Sequence, residues 1–214
     1  GSSLVGSEMC IRDSLNPIEE TVNESGDLII TSYQNVPLAE INGFEIEYEQ
    51  VFEAIMDSPN DLLVKFNYTE TESEVIVNPG DTYINNIGTV VDAQSLLANG
   101  RDTRLQGQSD TIANFQIGLD NLQNQTQATL IVNYVSDRVR ARGIDVLPDI
   151  IEEPPLLVDF AFSKIYSYPE FELKLSLELR NLLDEEYYAS MRNIAIYDQY
   201  DLGTSASLGF KISF

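Results

Sequence analysis

The side chains of this chain restrict its chemistry to oxygen. Of 214 residues, 35 are Asp or Glu, none is His, and Cys10 is the only cysteine. Imidazole acid/base catalysis, the commonest transition-metal ligand, internal disulfides and thiolate clusters are all removed together. Carboxylates remain, as acid/base dyads or as oxygen ligands for a hard cation such as Ca²⁺. Asp198, Tyr200 and Asp201 cluster near the C-terminus, while Asp92, Asp102 and Asp110 are spread over a longer stretch. Their spacing matches no regular calcium loop, so they read as solvated acidic loops. The pairs Glu152-Glu153 and Glu185-Glu186 make poor dyads, because neighbours on an extended chain point to opposite sides. No catalytic, metal or cofactor-binding residue is therefore assigned, and an enzyme is not expected.

The formal charge of −23, with no Lys or Arg from Leu15 to Val64, argues against a nucleic-acid partner. Val, Ile, Leu, Phe and Tyr are too frequent for a disordered chain. No stretch approaches the ~20 apolar residues of a membrane-spanning helix. A β-barrel escapes that criterion, since its strands need only about 9–11 residues and half of these face water.

The elements that must carry these side chains are strands. Ala206, Leu208, Phe210, Ile212 and Phe214 alternate with Ser205, Ser207, Gly209, Lys211 and Ser213. Phe171, Leu173, Leu175, Leu177 and Leu179 alternate with Glu172, Lys174, Ser176, Glu178 and Arg180. A helix would scatter those leucines around its surface. The same period recurs at 158–163, 128–135, 113–119, 62–69 and 44–49, and less clearly at 27–34, giving eight expected strands. In the 44–49 segment, Glu45, Glu47 and Glu49 form an acidic row opposite Phe44, Ile46 and Tyr48.

Connection lengths alternate as well. Short turns are expected at 55–60, 120–125 and 166–170, and long connections near 76–108, 142–154 and 184–203. Bacterial transmembrane barrels share this asymmetry, with short periplasmic turns and long extracellular loops. A soluble sandwich or lipocalin-like barrel also alternates. Uncharged centres of the apolar faces and recurrent Tyr and Phe near strand ends favour lipid.

Two segments carry a family resemblance. Leu177-Glu178-Leu179-Arg180-Asn181-Leu182-Leu183-Asp184-Glu185-Glu186-Tyr187 is similar to the penultimate-strand motif of TonB-dependent receptors. The close at Leu208-Gly209-Phe210-Lys211-Ile212-Ser213-Phe214 resembles the terminal assembly signal of outer-membrane proteins. Asn42-Gly43-Phe44-Glu45-Ile46-Glu47 resembles the family's Gly-x-Glu strand, whereas Gly203-Thr204 departs from its usual Gly-Arg.

The resemblance implies an all-β, antiparallel up-and-down transmembrane β-barrel fragment, about eight strands of a barrel of about 22. It implies residence in the outer membrane of a Gram-negative bacterium, with outer-membrane lipid as a partner. The parent's role would be uptake of a small-molecule ligand such as a siderophore, vitamin or glycan. Coupling to TonB would run through a plug domain not contained in these residues. The acidic row Glu45, Glu47, Glu49 would then line the lumen. The alternatives are a self-contained eight-strand structural barrel and a soluble secreted β-rich binding module.

Residues 4–13, Leu-Val-Gly-Ser-Glu-Met-Cys-Ile-Arg-Asp, resemble a translated transposase adaptor from sequencing-library preparation. Residues 1–14 are accordingly expected to be a non-native leader, disordered or only incidentally docked, with 15–214 as the receptor-like domain.

Overall fold

The computed structural model describes residues 3–25, 28–53, 59–84, 88–144, 147–192 and 194–214. In chain order its strands are β1 Ser3–Leu15, β2 Ile18–Ser25, β3 Leu28–Asn35, β4 Leu38–Phe52, β5 Asn60–Ile76, β6 Thr82–Ile84, β7 Val90–Asp92 and β8 Thr111–Asn121. They continue with β9 Thr126–Val135, β10 Arg138–Gly143, β11 Ile150–Glu153, β12 Leu157–Ser167, β13 Glu172–Arg180, β14 Glu186–Met191, β15 Ala195–Asp201 and β16 Ser205–Ser213. A 3-10 helix, Ala93–Gly100, follows β7.

The chain is all-β. Its largest sheet has eight strands in the order β1-β4-β5-β8-β9-β12-β13-β16, every neighbour antiparallel. The alternation sets the register: a shift of one residue would move every apolar side chain to the other face. One row runs Phe52, Leu62, Leu119, Ala128, Phe162, Leu177, Leu208 across seven strands. A row of the other parity runs Glu47, Asn67, Asn114, Asn133. Apolar faces that were read separately in sequence thus merge into one continuous face.

Among the described residues nothing covers that face. Phe44, Phe66 and Phe115 are over a third exposed, and Leu208 and Phe210 about three-quarters. Lys164 is on this face between Thr126 and Leu175, near the short-turn end, with its ammonium 5.1 Å from the Tyr166 ring.

The buried cores lie at the other end, where the long connections pack on one another and on the ends of β4 and β5. Val36, Ala39, Val75, Tyr83, Ala93 and Leu96 form one; Val22, Ala141, Ile150 and Ala189 form the second. A six-stranded sheet, β15-β14-β11-β10-β2-β3, takes β11, β14 and β15 from segments expected as loops, and another such segment supplies the β6-β7 hairpin. The β10–β2 pairing is parallel and joins the connection before β4 to the one before β12.

Two expectations are corrected. The strand near 27–34 exists as β3, but it belongs to the six-stranded sheet. A self-contained barrel required Leu28 to lie against the strand of Phe210. Instead Leu28 pairs with Ser25, and among the described residues β16 pairs only with β13 and β1 only with β4, so no closed barrel is formed. The expected turn at 55–60 falls mostly outside the described residues, while those at 120–125 and 166–170 join β8 to β9 and β12 to β13.

Residues 3–14, expected to be disordered or only incidentally docked, lie in β1, paired with β4 from Ser3↔Gln50 to Leu15↔Leu38. An unpaired strand edge accepts almost any extended chain through its backbone groups. Side chains contribute little here, since Val5, Met9, Ile11 and Leu15 are all at least two-thirds exposed. Backbone hydrogen bonds worth ~0.5–1.5 kcal/mol each are offset by ordering costs of ~1–2 kcal/mol per residue. Deleting residues 1–14 is therefore expected to shift the thermal unfolding midpoint by no more than a few degrees in the same solvent. A larger drop would show that β1 packs as well as pairs.

Candidate functional site

The most highly organised polar chemistry lies where the long connections meet. In β10 the sequence Arg138-Val139-Arg140-Ala141-Arg142 alternates charge with small apolar residues, and each arginine has its own partners. Arg138 donates to Glu152 at 2.7 Å. Arg140 donates to Asp198 at 3.2 Å and to the Tyr187 hydroxyl at 3.0 Å, with its guanidinium 5.4 Å from the Tyr197 ring.

Arg142 is the centre. Its side chain and that of Glu19 are fully buried, with Nε 2.5 Å and Nη2 3.0 Å from the two carboxylate oxygens. The remaining guanidinium donors reach the carbonyls of Asp102, at 2.6 Å, and Arg104, at 2.9 Å. One side chain on β10 thereby ties down β2 and the segment after the 3-10 helix. Burial works against the Arg142 charge, but the bond and field of Glu19, reinforced by Asp149 and Asp102, hold its pKa above the ordinary arginine value.

Asp149, also fully buried, accepts from the backbone N–H groups of Gly143 and Asp102, both at 3.0 Å, and lies 3.8 Å from Arg192. The β1–β4, β5–β8, β9–β12 and β13–β16 connections therefore meet in one polar network. Gly143 is needed because a Cβ there would collide with the carbonyl oxygens of Leu147 and Pro148.

Next to this network, Arg104 is surrounded by Asp102 at 2.8 Å, Asp110 at 3.2 Å and Asp137 at 3.0 Å. For Asp102, burial alone would raise the carboxyl pKa, but the hydrogen bonds and charge of Arg104 override it and hold the value below normal. Asp102, Arg104 and Asp137 border an open cleft of about 650 Å³ that also touches Tyr134, Glu153 and Arg192.

The acidic residues read from the sequence are distributed accordingly. Asp102 and Asp110 meet at Arg104, whereas Asp92 caps the 3-10 helix by accepting from the Gln94 N–H at 2.9 Å. Asp198 is paired with Arg140, Tyr200 stacks on Tyr187 with centroids 4.6 Å apart, and Asp201 faces Glu186 across the β14–β15 ladder. Among the described residues no group of three or more acidic, His or Cys side chains is arranged to hold a metal ion. Glu152 and Glu153 diverge as expected, the first to Arg138 and the second to the cleft. Glu186 accepts from Gln199 at 2.6 Å, while Glu185 bonds through its backbone to Asn181.

On the polar face of the large sheet, Glu45, Glu47 and Glu49 do form a row on β4. Lys65 pairs with Glu49 at 3.0 Å, and Asn67 donates to Glu45. The wall is thus less acidic than its sequence suggests.

Arg142, Glu19 and Asp149 were missed by sequence reasoning. The Arg-x-Arg-x-Arg alternation was a legible strand signal, hidden because the segment adjoined an expected loop.

Neither known protein-family models nor curated proteins give a match to this chain.

Proposed function

We propose that this chain forms part of the wall of an outer-membrane β-barrel, the C-terminal strands of a TonB-dependent receptor, with the interlocked long connections at the extracellular, ligand-facing end. The observation that carries this reading is the in-register apolar face, continuous across seven strands of the large sheet and covered by no other element among the described residues. In water such an exposed apolar face is a liability. Against lipid it is what a spanning wall requires, and its strands, 9 to 17 residues long, meet the need of about 9–11.

The motif that resembles the receptor family also has a physical role. Asn181 sits at φ 52° and is 5 % exposed. Its amide donates to the carbonyls of Glu185, at 3.0 Å, and Gly203, at 3.2 Å, and its Oδ1 accepts the Glu185 N–H at 3.0 Å. An Asn tolerates this left-handed backbone and satisfies a turn's orphan groups at once. The Thr204 hydroxyl donates to the Asn181 carbonyl at 2.9 Å, so Gly203-Thr204, the departure from the family pattern, still closes the connection between β13 and β16.

The experiment is solvent dependence. Refolded protein is expected to be β-rich and monodisperse in detergent micelles and to associate when detergent is removed. A monodisperse β-rich species in plain buffer would overturn the membrane reading in favour of a soluble binding module.

A further inference from the structure

We propose that the edge of β4 is a docking site for an extended segment that alternates apolar with basic side chains, and that β1 holds this edge only as a replaceable occupant. The ladder along the edge is long and regular, running in unbroken register from Ser3↔Gln50 to Leu15↔Leu38. Strand addition of this kind draws affinity from backbone hydrogen bonds and selectivity from alternate side chains.

The side chains of β1 match β4 poorly. On the polar face Glu8 lies opposite Glu45, and Gly6 lies opposite Glu47. Like charges directly across a ladder are destabilising, and a glycine offers a carboxylate nothing to pair with. On the other face Met9 lies opposite Phe44 and Ser7 opposite Ile46, yet Met9 is 81 % exposed. Arg12, the basic residue of β1, lies opposite Ile41, beyond the acidic row. Backbone bonds therefore hold β1 in place, and another extended segment can supply the same bonds.

β4 itself specifies what would fit better. On its far side β5 answers part of the acidic row: Lys65 pairs with Glu49 at 3.0 Å and Asn67 donates to Glu45, while the exposed Glu47 faces Asn67 across the ladder. On the near side β1 sets no cation opposite Glu45 or Glu47. Lys or Arg at those two positions would complete the row, and the alternate positions, facing Phe44, Ile46 and Tyr48, call for apolar side chains. A second copy of the chain does not meet this pattern. A two-fold antiparallel pairing of β4 centred on the row would set Glu47 against Glu47 and Glu45 against Glu49. The net charge of −23 likewise opposes a like chain and attracts a basic one.

Nothing in this pairing depends on which solvent meets the apolar face, so its outcome is separate from that of the membrane reading. The test uses the full chain with a nitroxide on Cys10, an exposed position within β1, in whichever solvent keeps it monodisperse. Three synthetic peptides of the length of β1 compete for the edge: one alternates valine with lysine, one alternates valine with glutamate, and one has the composition of the first in an order that breaks the alternation. Release of β1 sharpens the nitroxide spectrum. The alternating lysine peptide is expected to release it at a concentration about tenfold or more below that of either other peptide. In Glu47→Lys this advantage should fall about threefold or more, and in Glu47→Gln by less. Circular dichroism checks the fold of both variants, and Glu47→Gln carries the test if Glu47→Lys misfolds. No release by the alternating lysine peptide, equal release by the reordered one, an undiminished advantage in a folded Glu47 variant, or release accompanied by dimerisation of the chain in light scattering would overturn it.

Discussion

Replacing Arg142 with alanine is expected to unfasten the six-stranded sheet, at a cost of about 3–5 kcal/mol. The substitution leaves the Glu19 carboxylate buried with no counter-charge, and it also strips the carbonyls of Asp102 and Arg104 of their donors. The penalty of an unpaired buried charge exceeds the net worth of the pair, so Arg142→Met combined with Glu19→Leu should cost far less than Arg142→Ala alone. Hydrogen exchange reads the result locally. Amides of β2, β10 and β11 should lose protection while those of β8 and β9, outside the network, keep theirs. Equal cost for the single and double replacements would show that the pair is not the fastening.

The second large effect belongs to the apolar face. Phe210 on β16 is 76 % exposed and lies beside Leu175 of β13. In water, an arginine at so open a position would be tolerated almost freely. In a bilayer, Phe210→Arg is expected to cost roughly 2–4 kcal/mol near the midplane, where a guanidinium finds no water. Ser207→Arg, on the polar face opposite Glu178, should cost much less. The comparison is made by denaturant titration of each variant folded into lipid vesicles, and equal tolerance on both faces would contradict the assignment.

How legible this arrangement was in the sequence varied with the kind of signal. The large sheet was readable because strict alternation, as in Leu173 to Leu179 and Ala206 to Phe214, fixes both strand and face. Seven of its strands and the alternation of connection lengths follow from that pattern. The six-stranded sheet was not readable, because its strands β10, β11, β14 and β15 are only four to seven residues long. It is held by partners distant in sequence, such as Glu19 and Arg142, and a parallel pairing between two loops leaves no local trace. Strand β1 failed for another reason: its pairing depends on the free edge of β4, not on its own side chains. Asn181 was visible as part of a motif, but its role at a left-handed turn needed the hydrogen bonds.

The central claim is that one face of the eight-stranded sheet meets lipid and the other meets water. Spin labels placed singly at Leu177, Leu208, Ser176 and Ser207, in a Cys10→Ser background reconstituted into phosphatidylcholine vesicles, test it most directly. Leu177 and Leu208 are paired on the apolar face, and Ser176 and Ser207 lie on the other. Labels at the two leucines are expected to relax with lipid-dissolved oxygen and to be shielded from a water-soluble nickel chelate, with the reverse at the two serines. Strong collision with the nickel chelate on both faces would mean that the sheet does not line a membrane.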